Sequence, residues 1–386
     1  MDLRFTSEDE AFRDEVRGWL DTHMVGEFAE LGDVGGPGRE HEGVETRRAW
    51  ERVLGDAGWS GIGWPAPHGR GATVMQQVIF AEEYAAAGAP HRINHFGENL
   101  LGPTLIECGT EEQKQRFLPP IKVGDELWCQ GYSEPGAGSD LAGVKTKAVR
   151  DGDEWVITGQ KVWTSLAHLA DWCFVVARTD PDSSRHAGLS YLLVPMHQDG
   201  VEIRPIVQIT GGSEFNEVFF DAARTSADNV VGDVGDGWRV AMATLGFERG
   251  VATLAQQIGF ARELDRVIEL ARSTGATEDP VLADRLTQAW IELKVMRYTA
   301  LRMLSNDKPG VEASVSKLLW APWHQRLGEL AMAVRGTSSL DVDAETGELD
   351  DLQRLFLFSR ADTIYGGSNE IQRDIIARRM LGLPRG

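Results

Sequence analysis

The sequence predicts an α+β chain built as helices, then strands, then helices again. Three observations predict it. Apolar residues recur at helical spacing up to about residue 125. From there to Val231 the period is closer to two. From Trp238 onward the helical period returns. The expected domains are 1–125, helical; 126–231, β; and 232–386, helical. Strands and helices are segregated, which argues against an alternating βαβ fold.

The elements follow in order. Ser7 with Glu10 reads as a capping box, and Phe12, Val16, Trp19 and Leu20 make one apolar face behind it. Gly35-Gly36-Pro37-Gly38 breaks the pattern. Helices are expected at Val44–Ala57, Met75–Ala87 and Asn99–Cys108, and at Glu111–Phe117 behind an N-cap at Thr110. Glu154–Thr158, Trp172–Ala177, Leu189–Val194 and Glu217–Phe220 read as strands. Val144–Arg150 and Glu154–Trp163 flank Asp151-Gly152-Asp153, a hairpin signal. Helices are then expected at 238–273, 281–305, 311–335 and 352–363, with a last one from Ile371. The acidic stretch Asp341–Asp351 reads as a solvated loop.

Composition excludes several classes. The 386 residues are 42% hydrophobic and 25% charged, ordinary for a globular chain. The formal charge of −20 disfavours a nucleic-acid partner, which needs cationic patches. No apolar run approaches the roughly 18 residues of a membrane helix, and no secretory signal is visible. Cys108, Cys129 and Cys173 form no CxxC, so a reducing cytoplasm is expected. There is no G-x-G-x-x-G behind a strand, no P-loop and no G-x-S-x-G elbow. His91 and His95 stand at i, i+4 without an evident third ligand, so no metal is expected.

Three segments carry chemistry. Gln130-Gly-Tyr-Ser-Glu-Pro-Gly-Ala-Gly-Ser-Asp140 sets small residues beside Ser139 and Asp140. Such a loop lets backbone N–H groups approach a flat ring or a phosphate, and is otherwise a plain glycine-rich turn. Gly159-Gln-Lys-Val-Trp163-Thr164-Ser165 places a tryptophan beside two hydroxyls at a strand end. It reads as an aromatic-ligand site or as a buried core tryptophan. In Ile364-Tyr-Gly-Gly-Ser-Asn-Glu-Ile-Gln-Arg373 a Gly-Gly turn opens a helix capped by Ser368 or Asn369. That is a site for donors at a helix start, or merely a helix entry.

Together, and in this order, these segments resemble the acyl-CoA dehydrogenase family over almost the whole chain. The S-E-P-G-A-G-S-D run is similar to that family's T/S-E-P-x-A-G-S-D signature. The G-Q-K-V-W-T-S and Y-G-G-S-N-E-I-Q-R runs are similar to its G-x-K-x-W-I-T/S and Y-E-G-T-x-x-I-Q-R elements. Asn229-Val-Val-Gly-Asp-Val-Gly-Asp-Gly-Trp-Arg-Val-Ala-Met resembles the entry to its C-terminal domain. The resemblance implies a middle β-barrel-like domain, a C-terminal four-helix bundle, FAD as cofactor and oxidation of an acyl-CoA to a trans-2-enoyl-CoA. The base is a carboxylate made more basic in a dry site.

Two departures from the pattern follow. Where most members carry the basic Glu, this chain has Gly366. A branch similar to the isovaleryl- and long-chain-specific enzymes places that Glu earlier, in an L-x-x-E-R context. Leu245-Gly-Phe-Glu248-Arg249 matches it. The resemblance therefore implies Glu248 as the base, with Arg249 nearby on the substrate side. The plainer alternative is a surface carboxylate paired with a nearby arginine. Gly366 and Gly367 are then expected at the substrate, the Gly366 N–H donating to the thioester carbonyl. Tyr132, Ser133, Gly138, Ser139, Trp163, Thr164, Ser165, Ser368 and Glu370 are expected at the FAD, and Ser139 at the substrate arm as well. The second departure is in the part of the FAD site that the partner subunit supplies. Arg272-Ser-Thr-Gly275 lacks the family's Phe, and Ala333–Ser339 lacks its glycine pair. Arg272 remains the expected contact. Either a homo-oligomer tolerates a looser clamp, or a homologous chain supplies it.

Ile93–Asn99 lies where the family's acyl pocket is lined and is polar, which suggests an acyl group bearing oxygens or a hydrogen-bonded loop away from the pocket. The chain looks most similar to actinobacterial dehydrogenases of steroid-ring breakdown. Electrons are expected to pass to an electron-transfer flavoprotein. Alternatives are an oxygen-using oxidase of the same fold and a non-catalytic subunit completing another chain's site.

Overall fold

The computed structural model describes residues 5–32, 34–36, 38–247, 252–304, 312–343 and 345–384. Among these, six α-helices come first: α1 (Ser7–His23), α2 (Glu27–Leu31), α3 (Val44–Asp56), α4 (Val74–Ala86), α5 (Gly102–Cys108) and α6 (Glu111–Lys122). The first cap lies one residue earlier than expected. Thr6 is extended and accepts from the Asp9 N–H, and Asp9 accepts back from the Thr6 N–H. Thr110 caps α6 as expected, its box closed by Gln113. That helix continues past Phe117 and through Pro119 and Pro120. A wider π turn, Gly97–Leu101, leads into α5. Val16, Leu20, Trp50, Leu54 and Trp59 form the core of this region.

Eight strands follow: β1 (Trp128–Gly131), β2 (Lys147–Asp151), β3 (Glu154–Ser165), β4 (Trp172–Arg178), β5 (Leu189–Pro195), β6 (Val201–Ile206), β7 (Phe215–Ser226) and β8 (Val230–Val231). They join in one sheet in the order β6-β7-β3-β2-β4-β5-β8, with β1 parallel to β4. The β2–β3 hairpin turns at Gly152, whose φ of 59° suits glycine. β4 shows why its sequence is apolar without alternation. Cys173, Val175 and Ala177 face a core that the sheet closes over. Phe174 and Val176 face a second core shared with α5, α6 and the next helix. A strand buried on both faces loses the period of two.

The remaining helices are α7 (Gly237–Phe247), α8 (Ala252–Thr274), α9 (Pro280–Leu304), α10 (Glu312–Arg335), α11 (Asp351–Phe358) and α12 (Asn369–Ile375). α8, α9, α10 and α11 share one core around Leu264, Leu293, Trp323, Leu327 and Leu355. The acidic stretch before α11 is more than a solvated loop. Asp350 caps α11, and Asp351 pairs with Arg266 at 2.8 Å. Among the described residues no helix is long and apolar enough to cross a membrane.

Candidate active site

The first two motifs meet through a buried ion pair. Lys161 is fully buried and its Nζ donates to Glu134 Oε1 at 2.9 Å, the Tyr132 carbonyl at 3.0 Å and the Val176 carbonyl at 2.8 Å. Glu134 also accepts from the N–H groups of Lys145 (2.7 Å) and Thr146 (2.9 Å). Burial raises the Glu134 carboxyl, but Lys161 and these donors outweigh it and hold it below the usual range. The Val162 N–H donates to the Ser133 carbonyl at 2.9 Å, which fixes the two segments side by side. Sequence reasoning passed over Glu134 and Lys161, although both stand inside the quoted motifs.

The same contacts place several expected residues. The Tyr132 ring is buried, edge-on to Phe174 and Tyr191, and its carbonyl is taken by Lys161. Its ring and carbonyl are therefore committed inside the domain. Ser133 is half-buried. Glu134 and Ala137 exchange both backbone hydrogen bonds, each 3.0 Å, which makes a tight turn with Pro135-Gly136 at its tip. Gly138 and Ser139 just beyond are exposed, and open space lies where a Gly136 or Gly138 side chain would stand.

Trp163 is not a core residue, contrary to the buried reading. It is 59% exposed, with its ring edge-on to Phe215. The cause is a β-bulge: three steps from Lys161 to Thr164 face only two on β7, from Val218 to Asn216. Trp163 takes φ 60°, a strained backbone for a bulky residue and of the kind concentrated at functional sites. The bulge turns Thr164 inward. Its Oγ1 is buried with no hydrogen-bond partner among the described residues, while Ser165 is half-buried.

The third motif forms a second cluster. Gly366 and Gly367 have φ 62° and 87°, the left-handed region that glycine enters without strain. Gln372 of α12 donates from Nε2 to both their carbonyls, at 3.1 and 3.3 Å. A Cβ on Gly367 would lie 2.6 Å from that nitrogen. Ser368 is the N-cap, accepting from the Ile371 N–H, and Asn369 is buried behind it. Glu370 is exposed and pairs with Arg373 at 3.3 Å. Arg272 is exposed in the last turn of α8, on neither cluster's hydrogen-bond framework described above. Glu248 and Arg249 lie outside the described residues. α7, which ends at Phe247 just before them, is anchored from inside. Thr244 Oγ1 lies 2.9 Å from Thr104 Oγ1 and 3.3 Å from the Tyr191 hydroxyl.

The polar run at 93–99 divides. Asn94 is buried and donates to the carbonyls of Ile121 and Glu126 while accepting from the Trp128 N–H. Glu98 accepts from the Gly61 N–H and pairs with Arg92 at 2.6 Å. Burial pushes its carboxyl up against the pull of Arg92. Both side chains are used inside the protein, so their polarity gives no sign of an oxygenated acyl group. His95 and Phe96 are half-buried and Asn99 is exposed.

A buried histidine links the bundle to the Gly-Gly turn. His324 Nδ1 lies 2.6 Å from Asp362 Oδ2 and its Nε2 lies 2.8 Å from Glu263 Oε2. Burial opposes its charge, but the two carboxylates prevail and the imidazole is pushed up to about 10. A raised value means that the charged histidine's stabilisation is full below its ordinary 6.5 and lost as pH rises through about 10. The unfolding free energy of the protein minus that of His324→Gln should therefore shrink steadily between pH 7 and pH 10. Urea unfolding at several pH values measures it, and a constant difference would refute the assignment.

A helical layer, a sheet and a helical bundle, with an exposed tryptophan on a bulge and a Gly-Gly turn at the bundle, are the arrangement that the sequence resemblance to acyl-CoA dehydrogenases implies. The comparisons agree. The N-terminal, middle and C-terminal domain models of acyl-CoA dehydrogenase match residues 6–125, 129–223 and 235–381. Acyl-CoA dehydrogenase IpdE1 of Mycobacterium tuberculosis is 64% identical over 380 residues, covering 97% of this chain and 98% of that protein. IpdE1 of Mycolicibacterium smegmatis is 62% identical over 389 residues, covering 98% of each. Among solved structures, the Tcur3481-Tcur3483 steroid ACAD superposes with a TM-score of 0.87 at 32% identity, and the ChsE4-ChsE5 complex of M. tuberculosis with 0.83 at 32%, each over the full length of both chains. The chain belongs to the acyl-CoA dehydrogenase family. It is an oxidoreductase acting on CH–CH bonds, and FAD is its cofactor. The residues present fit such a group: an exposed ring face at Trp163, a buried unpaired hydroxyl at Thr164 and glycines with open space above them.

Proposed function

We propose that this chain dehydrogenates the Cα–Cβ bond of a bulky or ring-bearing acyl-CoA, a steroid C/D-ring remnant, to the trans-2-enoyl-CoA. The observation that carries this is the Gly366–Gly367 turn: a side chain is missing where most of the family places its Glu, which leaves room beside the acyl group. The names of the similar proteins, steroid ACAD among them, support the substrate class. When bound, FAD supplies a hydride acceptor for Cβ. Glu248 takes the proton from Cα, and Arg249 lies on the substrate side. The Gly366 N–H donates to the thioester carbonyl and stabilises the charge that develops there. Gly367 keeps that turn tight, and Ser139 faces the thioester arm. Trp163, Thr164 and Ser165 line the flavin on the sheet side, with Ser133, Gly138, Ser139 and the remaining atoms of Tyr132. Ser368 and Glu370 approach it from the α12 side. Electrons leave to an electron-transfer flavoprotein, in the cytoplasm.

Arg272 belongs in this reading to the neighbouring subunit's site. The weak clamp elements favour a heteromer with a homologous chain over a homo-oligomer, as does the similarity to the ChsE4-ChsE5 complex. Two measurements test the proposal. The chain expressed alone should carry well under one FAD per chain after gel filtration, and co-expression with a homologous chain should raise the ratio. One flavin per chain in a self-assembly would remove the heteromer. The loaded enzyme should turn over a bicyclic propionyl-CoA well ahead of octanoyl-CoA. The opposite preference would remove the steroid reading.

A further inference from the structure

The buried carboxylate that holds His324 has a second donor. Asp362 is 1% exposed, and its Oδ1 accepts from the Tyr365 hydroxyl at 2.7 Å while its Oδ2 faces His324. Glu263, His324, Asp362 and Tyr365 thus form one chain of charge-assisted hydrogen bonds. It runs from α8 through α10 to the residue just before Gly366. An imidazole with a carboxylate on each nitrogen donates from both, so it is cationic.

The rest of this wall is apolar or already paired. The Phe260 ring lies tilted with its centroid 4.4 Å from that of His324, and Trp323 lies beside it on α10. Among the described residues the nearby cations are Lys317, two turns earlier on α10 and 4.4 Å from the Tyr365 ring, and Arg360, whose guanidinium donates to the Gln325 carbonyl and to Glu329. Among the described residues, the charged groups that hydrogen-bond His324 are Glu263 from α8 and Asp362 from the turn after α11.

Ile364, Tyr365 and Gly366 are exposed, with the Tyr365 ring lying against Trp320 and Lys317 of α10. The anchors of this stretch include Gln325 Nε2 to Thr363 Oγ1 at 3.2 Å, the Ile364 and Tyr365 N–H groups to the Ala361 carbonyl at 2.8 and 3.1 Å, the Asn369 N–H to the Thr363 carbonyl at 3.1 Å, Gln372 to the two glycine carbonyls, and the Tyr365 hydroxyl to Asp362. If Tyr365 swings away, a buried carboxylate loses a donor, which is costly. An imidazole donor on its other oxygen keeps Asp362 aimed, so that it accepts from the phenol.

We propose that His324 is a positioning residue for the reaction: through Asp362 it holds Tyr365, and with it the Gly366–Gly367 turn, in place against the thioester. This rests on the role given above to the Gly366 N–H. No local sequence signal marks His324.

The test uses the FAD-loaded enzyme, with its partner chain where loading requires one. His324→Gln, Asp362→Asn and Tyr365→Phe are compared singly, and His324→Gln is combined with Tyr365→Phe. Tyr365→Phe removes one hydroxyl and leaves the packing, so it keeps the test open should a bundle variant fold poorly. Each variant should lose about ten- to a hundredfold in kcat on the bicyclic propionyl-CoA, the scale of a small misplacement. KM should stay within about twofold, as for an interaction made in the transition state. The double variant should be no worse than the worse single one, because both act through one chain. The carbonyl stretch of bound 13C-labelled 3-phenylpropenoyl-CoA, read by infrared difference, should be lowered in the parent enzyme and move back toward its free value in each variant. Wild-type kcat in Tyr365→Phe, or fully additive losses, would overturn the proposal. So would a carbonyl band lowered equally in parent and variants. A band at its free-solution value in the parent itself would overturn the role of the Gly366 N–H, and the positioning of His324 with it.

Discussion

In the FAD-loaded enzyme, with its partner chain where loading requires one, Glu248→Gln is expected to leave a yellow, folded protein whose turnover has fallen about 10²–10⁴-fold, the range that a general base contributes. The amide keeps the shape of the carboxylate but cannot take a proton from Cα. The turn that usually carries this base has Gly366 instead, and Gly366 has no acid to offer. The segment that would carry it follows a helix that is firmly held. Thr244, four residues before Glu248, is fully buried and hydrogen-bonded toward both the N-terminal helices and the sheet. Rapid mixing with the bicyclic propionyl-CoA reads the effect directly. The flavin absorbance at equilibrium should match the parent's before mixing, and its bleaching should slow by the stated factor. Bleaching at the parental rate would move the base elsewhere. Loss of flavin from the variant would make Glu248 a structural residue.

The architecture was legible in the sequence because it rests on local signals. Thr110 and its box partner, the Gly152 hairpin and the apolar run of β4 each declare themselves within a dozen residues. The candidate site was legible only as motifs, and their meaning changed on folding. By itself Trp163 read more readily as core than as a ligand platform, because a bulge is set by pairing with β7, about fifty residues away in sequence. Asn94 and Glu98 suggested a polar substrate, but their partners come from Ile121, Glu126 and Gly61. The His324 chain joins residues 61 and 38 positions apart, and no periodicity reports such a contact. Local chemistry shows in sequence; long-range satisfaction of buried polar groups does not.

That rule sets the second large effect, at Lys161. Lys161→Met should destabilise the protein by about 3–5 kcal/mol, the cost of breaking a buried pair by removing one partner. It leaves the Tyr132 and Val176 carbonyls and one oxygen of Glu134 without their shared donor. The flavin should go with it, since the lost ammonium ties Ser133's segment to Trp163's strand. The charge directions add a sharper expectation. Burial pulls the Lys161 ammonium below the ordinary lysine range even with Glu134 beside it. Taking both charges out of water has a cost that offsets their attraction, so the pair is expected to hold position more than it adds stability. Lys161→Met combined with Glu134→Leu should then recover much of the lost stability without restoring flavin binding, because apolar replacement of a buried pair is often neutral. The acid side should respond as well. The Glu134 carboxyl is held below its ordinary value, so its contribution is present above that value and is lost as pH falls through the depressed one. Parent and Lys161→Met should differ most near neutrality and converge in acid. Urea midpoints across pH, with flavin content measured on the same samples, decide it. A Lys161→Met protein as stable as its parent would mean that the pair contributes nothing to the fold. A double variant that regains flavin along with stability would mean that the two motifs need only packing to stand side by side.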